Sequence, residues 1–164
     1  RLTAELTAGT LGMISGQVLD TLGGFDEATP EAERVARLHR EKTGALITAA
    51  CRMGALVGAQ SLPETDADAR LAGVTDYADA IGLMFQVVDD LLDVTQSAEH
   101  LGKRAGKDAD AGKLTYPGVY GVERTRAFIA ELLDRASGAL AELPAGDHRD
   151  VLQELASFLA QRTN

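Results

Sequence analysis

Three aspartates stand close together in one apolar segment of the chain. Asp89, Asp90 and Asp93 close the run FQVVDDLLD at residues 85–93, which contains no lysine or arginine. At ~100° per residue, Asp89 and Asp93 lie on one helical face a turn apart, and Asp90 flanks them. The carboxylates repel one another, and near the C-terminal end of the predicted helix they also oppose its dipole. A cation is therefore expected to bind here.

Mg²⁺ is the cation that best suits such a group of carboxylates. It prefers oxygen ligands, takes one or two carboxylates, and fills its remaining octahedral positions with water and phosphate oxygens. A solvated acidic helix end also explains a D-D-x-x-D motif taken alone, so other residues must distinguish the two interpretations.

A lysine interrupts an apolar helical stripe earlier in the chain. The stripe has positions i, i+4, i+7 and i+11, occupied by Leu38, Lys42, Ala45 and Ala49. Lys42 therefore does not lie on a solvated face. Its ammonium group either extends out to water or meets an anion.

A glycine-rich loop offers further positive charge. Helical periodicity is lost between residues 97 and 116, where glycines alternate with Lys103, Lys107 and Lys113. Bare glycine backbone allows close approach to a polyanion, and a long loop without periodicity indicates either function or disorder. Together with the aspartates, the loop suggests that carboxylates hold Mg²⁺, the metal holds a diphosphate, and lysines neutralise the remaining charge.

Helices must position these groups, because nearly every segment shows helical spacing. We expect an all-α fold with helices over residues 2–22, 30–58, 71–94, 122–143 and 149–161. Gly23-Gly24 predicts a left-handed end for the first helix, and Thr29-Pro30 predicts a capped start for the second.

The composition supports a helical domain and argues against some classes of binding partner. The 164 residues are 45% hydrophobic with four Phe, three Tyr and no Trp, so small and aliphatic side chains must fill the core. A net charge of -9 argues against a nucleic-acid partner. No apolar run is long enough to predict membrane insertion, and the lone Cys51 favours a reduced, cytoplasmic setting.

Five ordered motifs resemble one enzyme family over essentially the whole chain. They are GQxxD at residues 16–20, KTGAL at 42–46, FQxxDDxxD at 85–93, GK at 102–103 and GKxTYP at 112–117. This set resembles the C-terminal half of a trans-isoprenyl diphosphate synthase of the farnesyl diphosphate synthase type.

The resemblance implies a fold, a reaction and an assembly. The fold is an all-helical bundle around a central cavity. The reaction is a Mg²⁺-dependent condensation of an allylic diphosphate, dimethylallyl or geranyl, with isopentenyl diphosphate. A homodimer is the usual assembly of the family.

The resemblance also assigns roles to residues of this sequence. Metal binding falls to Asp89, Asp90 and Asp93. Diphosphate binding falls to Lys42, Lys103 and Lys113. Thr43 and Gln86 would contact the allylic partner near its ionising bond, and Gln17 and Asp20 would line the cavity. Lys42, Thr43, Gln86 and Asp89 are the residues expected to serve catalysis.

Part of the family's pattern is missing from these residues. Its first aspartate-rich motif and its isopentenyl diphosphate site are absent, since no other D-D-x-x-D occurs. Residues 1–164 are therefore expected to be the C-terminal portion of a single polyprenyl synthase domain and to be inactive alone. Farnesyl diphosphate is the expected product of the whole enzyme. The alternatives are a geranylgeranyl diphosphate synthase and a non-catalytic helical subunit.

Overall fold

The structure, a computed structural model, describes residues 1–101 and 114–162, with side chains omitted for residues 96–101. Its elements are α1 (Leu2–Leu22), α2 (Glu31–His39), a π-helical turn (Arg40–Gly44), α3 (Ala45–Gly58), α4 (Glu64–Leu101), α5 (Tyr116–Tyr120), α6 (Val122–Ala141) and α7 (Asp147–Gln161). Every regular element in these ranges is helical, which confirms the all-α prediction. None of the helices described here combines the length and apolar character needed to cross a membrane.

The long helix α4 forms the centre of the fold. Tyr77, Met84 and Leu91 along it are almost completely buried, and Leu132 and Leu140 of α6 join the same core. The Tyr77 hydroxyl donates a 2.8 Å hydrogen bond to the Leu152 carbonyl, which ties α4 to α7. The buried part of α4 is therefore anchored in the core.

Helix α4 is longer at both ends than the sequence predicted. It begins at Glu64, directly after Pro63, where acidic residues in the first turn favour the helix dipole. At the other end it continues past Asp93 to Leu101. The expectation that the aspartates lie at the end of the helix is therefore wrong, and the helix dipole does not act on them as argued.

Two glycines of α1 and one of α4 allow close contacts between these helices and the segment that contains the π-helical turn and α3. A Cβ atom added at Gly16 would come within 2.2 Å of the Lys42 backbone nitrogen, and one at Gly9 within 2.6 Å of the Ala49 Cβ. On the opposite side, a Cβ at Gly82 of α4 would lie 3.0 Å from the Gly44 Cα. The π-helical turn is thus held between α1 and α4 by close backbone contacts.

The connection from α1 to α2 differs from the predicted capping. Gly23 and Gly24 do adopt positive φ values of 72° and 101°. The expected Thr29 cap is wrong, because α2 begins at Glu31 and no side chain caps it. Instead the Arg34 guanidinium donates hydrogen bonds to three carbonyl oxygens of the connection, those of Asp26, Glu27 and Thr29.

Candidate active site

Lys42 lies in the π-helical turn and faces an acid on α1. Its Nζ donates to Asp20 Oδ2 at 2.5 Å, so the lysine in the apolar stripe meets an anion. The pair joins two residues that the sequence had assigned to the site. A π-helical turn widens the helix locally and is frequent at functional sites.

A second part of the site follows one face of α4. At ~100° per residue, Gln86, Asp89 and Asp93 lie within about 40° of Gly82 around the helix. Because Gly82 contacts Gly44 of the π-helical turn, this face of α4 begins at the segment that carries Lys42 and Thr43. Thr43 and Gln86 are both half-buried. The predicted phosphate and metal residues therefore belong to adjoining surfaces of two packed elements.

Asp89 lies near the cation of a residue that the sequence analysis did not select. Its side chain is 47% exposed, and its Oδ1 is 3.9 Å from Nη2 of Arg162. The Arg162 guanidinium also lies over the Phe85 ring, with Cζ 5.8 Å from the ring centroid. A contact this long between exposed groups is weak, and it leaves Asp89 accessible to another cation.

Asp90 has a different environment from Asp89. The residue is 6% exposed, and its Oδ2 accepts a 2.7 Å hydrogen bond from His39 Nε2 and a 3.0 Å bond from the Tyr116 backbone N–H. The structure thus places Asp90 in a buried hydrogen-bond group, whereas the sequence had grouped it with the two other aspartates at the metal.

Tyr116 opens the short helix α5 beside Asp90. The Thr115 hydroxyl accepts from the Gly118 backbone N–H at 3.2 Å and caps this helix. The Tyr116 ring stacks on His39 at a centroid distance of 5.5 Å and on Phe128 at 5.3 Å. Burial, assisted by the nearby Tyr120, raises the pKa of Tyr116 to about 12.

Glu41 connects the π-helical turn to α1 and to α2. Its carboxylate accepts hydrogen bonds from Ser15 at 2.6 Å and from Arg37 at 2.7 Å. Partial burial raises the pKa of Glu41, but these two hydrogen bonds outweigh it, so the net shift is downward. The turn is therefore tied to α1 on both flanks, through Ser15–Glu41 and through Asp20–Lys42.

One other predicted site residue stands apart from this arrangement, and two lie outside the described residues. Gln17 is exposed on α1, and its amide donates to the Thr21 hydroxyl at 2.9 Å. Lys103 and Lys113 lie outside the described residues.

The exposed carboxylates fit Mg²⁺ better than a metal that needs an all-protein cage. In the part of the chain that the structure describes, no three His, Cys, Asp or Glu side chains are grouped as metal ligands. Mg²⁺ requires only one or two carboxylates when substrate phosphates complete its shell. Asp89 and Asp93, one turn apart on an accessible face, can provide that pair.

His39 and Arg162 were missed as functional residues for different reasons. His39 follows Val35 and Leu38 at i+4 and i+1 on the buried face of α2, so its burial was readable from the pattern. Its partner Asp90 lies 51 positions away in the sequence, and the pattern gave no sign of that contact. Arg162 lies on α7's C-terminal side, and no sequence motif connects it to α4.

The chain belongs to the polyprenyl synthetase family, which it matches over residues 1–145. Among curated relatives, geranylgeranyl pyrophosphate synthase 7, chloroplastic, from Arabidopsis thaliana is 42% identical over 157 residues, which is 95% of this chain and 43% of the relative. The chain thus spans less than half the length of that relative.

Two solved structures share the fold. Decaprenyl diphosphate synthase from Rhodobacter capsulatus is 27% identical with a TM-score of 0.73, and the match covers 100% of this chain and 60% of that one. Geranyltransferase from Helicobacter pylori, in a complex with magnesium and isoprenyl diphosphate, is 31% identical with a TM-score of 0.67. That match covers 98% of this chain and 50% of the other.

Proposed function

We propose that these residues form the C-terminal portion of a short-chain trans-prenyl diphosphate synthase, which condenses an allylic diphosphate with isopentenyl diphosphate. One observation carries the proposal. The Gly44–Gly82 contact sets the segment with Lys42 and Thr43 against the face of α4 that bears Gln86, Asp89 and Asp93. This arrangement suits a diphosphate that must be bound and then released from carbon. It offers a cationic group first, then polar groups, and then accessible carboxylates.

Lys42 is the residue proposed to bind the leaving diphosphate. In the described chain its ammonium is already paired with Asp20, which offsets the cost of holding it against an apolar stripe. A diphosphate would offer stronger, charge-assisted hydrogen bonds and would take over that contact. Asp20 then keeps the lysine oriented while the ligand is absent.

Asp89 and Asp93 are the proposed ligands of Mg²⁺. When bound, the metal neutralises charge that develops on the departing diphosphate. Thr43 and Gln86 are half-buried, and we expect them to direct their oxygen dipoles at the allylic carbon as positive charge develops there. The double bond of isopentenyl diphosphate attacks that carbon, and loss of a proton restores the alkene.

Geranylgeranyl diphosphate is the product we now favour. The sequence motifs alone suggested farnesyl diphosphate, whereas the Arabidopsis relative at 42% identity is a geranylgeranyl synthase. The resemblance implies that product length is set beside the first aspartate-rich motif, which does not occur in residues 1–164. Incubation with labelled isopentenyl diphosphate and separate geranyl or farnesyl primers, followed by chromatography, distinguishes them.

A homodimer and a cytoplasmic location complete the proposal. Both rest on the resemblance and on composition. The Arabidopsis relative is named as chloroplastic. Sedimentation of the purified protein tests the assembly.

The central test replaces Asp89 by Asn in the protein at the full length its gene encodes. Because the metal stabilises charge that grows in the transition state, kcat should fall about 10²- to 10³-fold while KM changes little. The melting temperature without ligands should be nearly unchanged, since the side chain is 47% exposed.

The matched control is Asp76→Asn, which removes an exposed carboxylate from the same helix. It should leave both kinetics and melting unaltered. A large loss of stability in Asp89→Asn with catalysis intact would make Asp89 a structural residue and would refute the proposed metal site.

A further inference from the structure

Asp90 is the centre of a buried polar group that joins three elements. Its Oδ2 accepts from His39 at the end of α2 and from the Tyr116 backbone at the start of α5, while Asp90 itself belongs to α4. His39 is 3% exposed and Asp90 is 6% exposed. A buried carboxylate requires partners of this kind, since an unpaired one would be strongly destabilising.

The chemistry of the pair fixes the direction of the hydrogen bond. Asp90 Oδ2 already accepts from the Tyr116 backbone N–H, so we assign the donated proton of this contact to His39 Nε2. The other ring nitrogen, Nδ1, is buried and has no hydrogen-bond partner among the described residues. His39 therefore makes its one polar contact with Asp90, and its ring rests on Tyr116.

The direction of the Asp90 side chain separates it from the accessible aspartates. Around α4 it lies ~100° from Asp89 and ~80° from Gly82, on the side of the helix toward Val87 and Leu91. Its neighbours on α4, Val87 and Leu91, are almost fully buried. A cation on the exposed face would have to enter the core to reach the oxygen that His39 and Tyr116 already use.

We propose that Asp90 is a positioning residue that acts through His39 and not a ligand of the metal. The inference rests on the proposed function. His39 immediately precedes the π-helical turn that carries Lys42, and Asp90 immediately follows Asp89. The His39–Asp90 bond thus fixes the diphosphate-binding lysine relative to the metal-binding carboxylates.

The test compares Asp90→Asn with Asp89→Asn in the full-length protein, well below the melting temperature of each variant. Mg²⁺ is titrated calorimetrically in the presence of inorganic diphosphate, and KM for the allylic diphosphate is measured in parallel. Asp90→Asn should bind Mg²⁺ within about twofold of the unaltered protein, whereas KM should rise about tenfold or more, because a misplaced binding group is costly. Asp89→Asn should lose most of the Mg²⁺ binding.

Two variants of His39 test the coupling. His39→Gln keeps an N–H donor for Asp90 and should leave KM nearly unchanged, whereas His39→Leu should raise KM as Asp90→Asn does. Combining His39→Leu with Asp90→Asn should add little to either alone, since both remove one contact. If Asp90→Asn fails to fold, the comparison of His39→Gln with His39→Leu tests the inference instead.

The possible results separate the two proposals. Loss of Mg²⁺ binding in Asp90→Asn would show that Asp90 is a ligand and would overturn the inference. A lower melting temperature with unchanged KM would overturn it too, because Asp90 would then be merely structural. Unchanged Mg²⁺ binding and turnover in Asp89→Asn would instead refute the proposed function.

Discussion

Lys42 and Asp89, the residues proposed to bind ligands of opposite charge, each have an internal partner. The Lys42–Asp20 contact is short, whereas the Asp89–Arg162 contact is 3.9 Å long. Exposed pairs of the second kind contribute little to stability. Arg162 can therefore hold Asp89 in place without competing strongly against a divalent cation.

Replacement of Arg162 by Ala tests this interpretation. Removing a nearby positive charge should lower the half-saturating Mg²⁺ concentration about twofold, corresponding to roughly 0.5 kcal/mol for an exposed pair. The measurement is a Mg²⁺ titration with inorganic diphosphate, and Arg135→Ala on the exposed side of α6 is the control. Weaker Mg²⁺ binding in Arg162→Ala would show that the arginine supports the bound ligand.

Two buried tyrosines predict a loss of stability at high pH. Burial raises the pKa of both Tyr77 and Tyr116 to about 12. The unfolded chain should release these protons near pH 10, so stability is full below that pH and falls as pH rises toward 12.

Tyr116→Phe should make this decline in stability with pH shallower, because the variant lacks one of the two hydroxyl protons whose release is linked to unfolding. Urea unfolding at several pH values between 9 and 11 measures the slope for both proteins. An identical slope in the variant would show that Tyr116 does not titrate differently in the folded state. Tyr77→Phe is less suitable, since it also removes the hydrogen bond to Leu152.

At the level of elements, α1 and the π-helical turn depend on Gly16. Any side chain there would meet the Lys42 backbone, which cannot move as a flexible side chain would. Gly16→Ala should therefore destabilise the fold by about 1–3 kcal/mol, as overpacked cores do. Chemical denaturation gives this value directly.

Gly138→Ala provides the matched control within helix α6. A Cβ at Gly138 meets no atom within 4 Å, so the change should stabilise the protein by about 0.5–1 kcal/mol through helix propensity. If both variants proved equally stable, the close approach of α1 to Lys42 would be incorrect.

The helices themselves were largely predictable, while the irregular elements were not. The bounds of α1 agree with the prediction, and those of α6 and α7 agree to within two residues, because apolar periodicity determines them. The π-helical turn and α5 were missed. Both depend on tertiary contacts, the first on glycine contacts with α1 and α4, the second on the Asp90–Tyr116 bond.

The candidate site shows the same division. Residue types and motif order identified Lys42, Asp20 and the aspartates, but spacing alone gave all three aspartates one role. Only packing distinguishes the 47% exposed Asp89 side chain from the buried Asp90. A pair such as His39–Asp90 joins distant positions and carries no local signal.

Taken whole, the described molecule leaves much apolar surface uncovered. Most of the exposed large hydrophobic side chains lie on two helices, those of α1 being Leu2, Leu6, Leu11, Ile14, Val18 and Leu22, and those of α7 being Val151, Leu155 and Phe158. Surfaces of this extent are typical of regions that contact other protein.

We expect residues 1–164 expressed alone to form no prenyl diphosphate. Carboxylates on one side of a diphosphate cannot provide the preorganised charge on both sides that its departure requires. Incubation with labelled isopentenyl diphosphate, geranyl diphosphate and Mg²⁺ should give no extractable product. Robust turnover by these residues would show that the described site is sufficient.

The π-helical turn makes the number of residues between His39 and Gly44 as important as their identity. Deleting one residue would let the turn become ordinary α-helix with α2 and α3 still in phase, because a π-helical turn holds about one residue more than an α-helical turn. Inserting a residue that the turn cannot absorb would instead rotate α2 against α3 by ~100°. Val35 and His39 would then leave the core together. Natural or engineered variants should therefore accept many side chains at the exposed Arg40, and beside it they should accept the loss of one residue more readily than the gain of one.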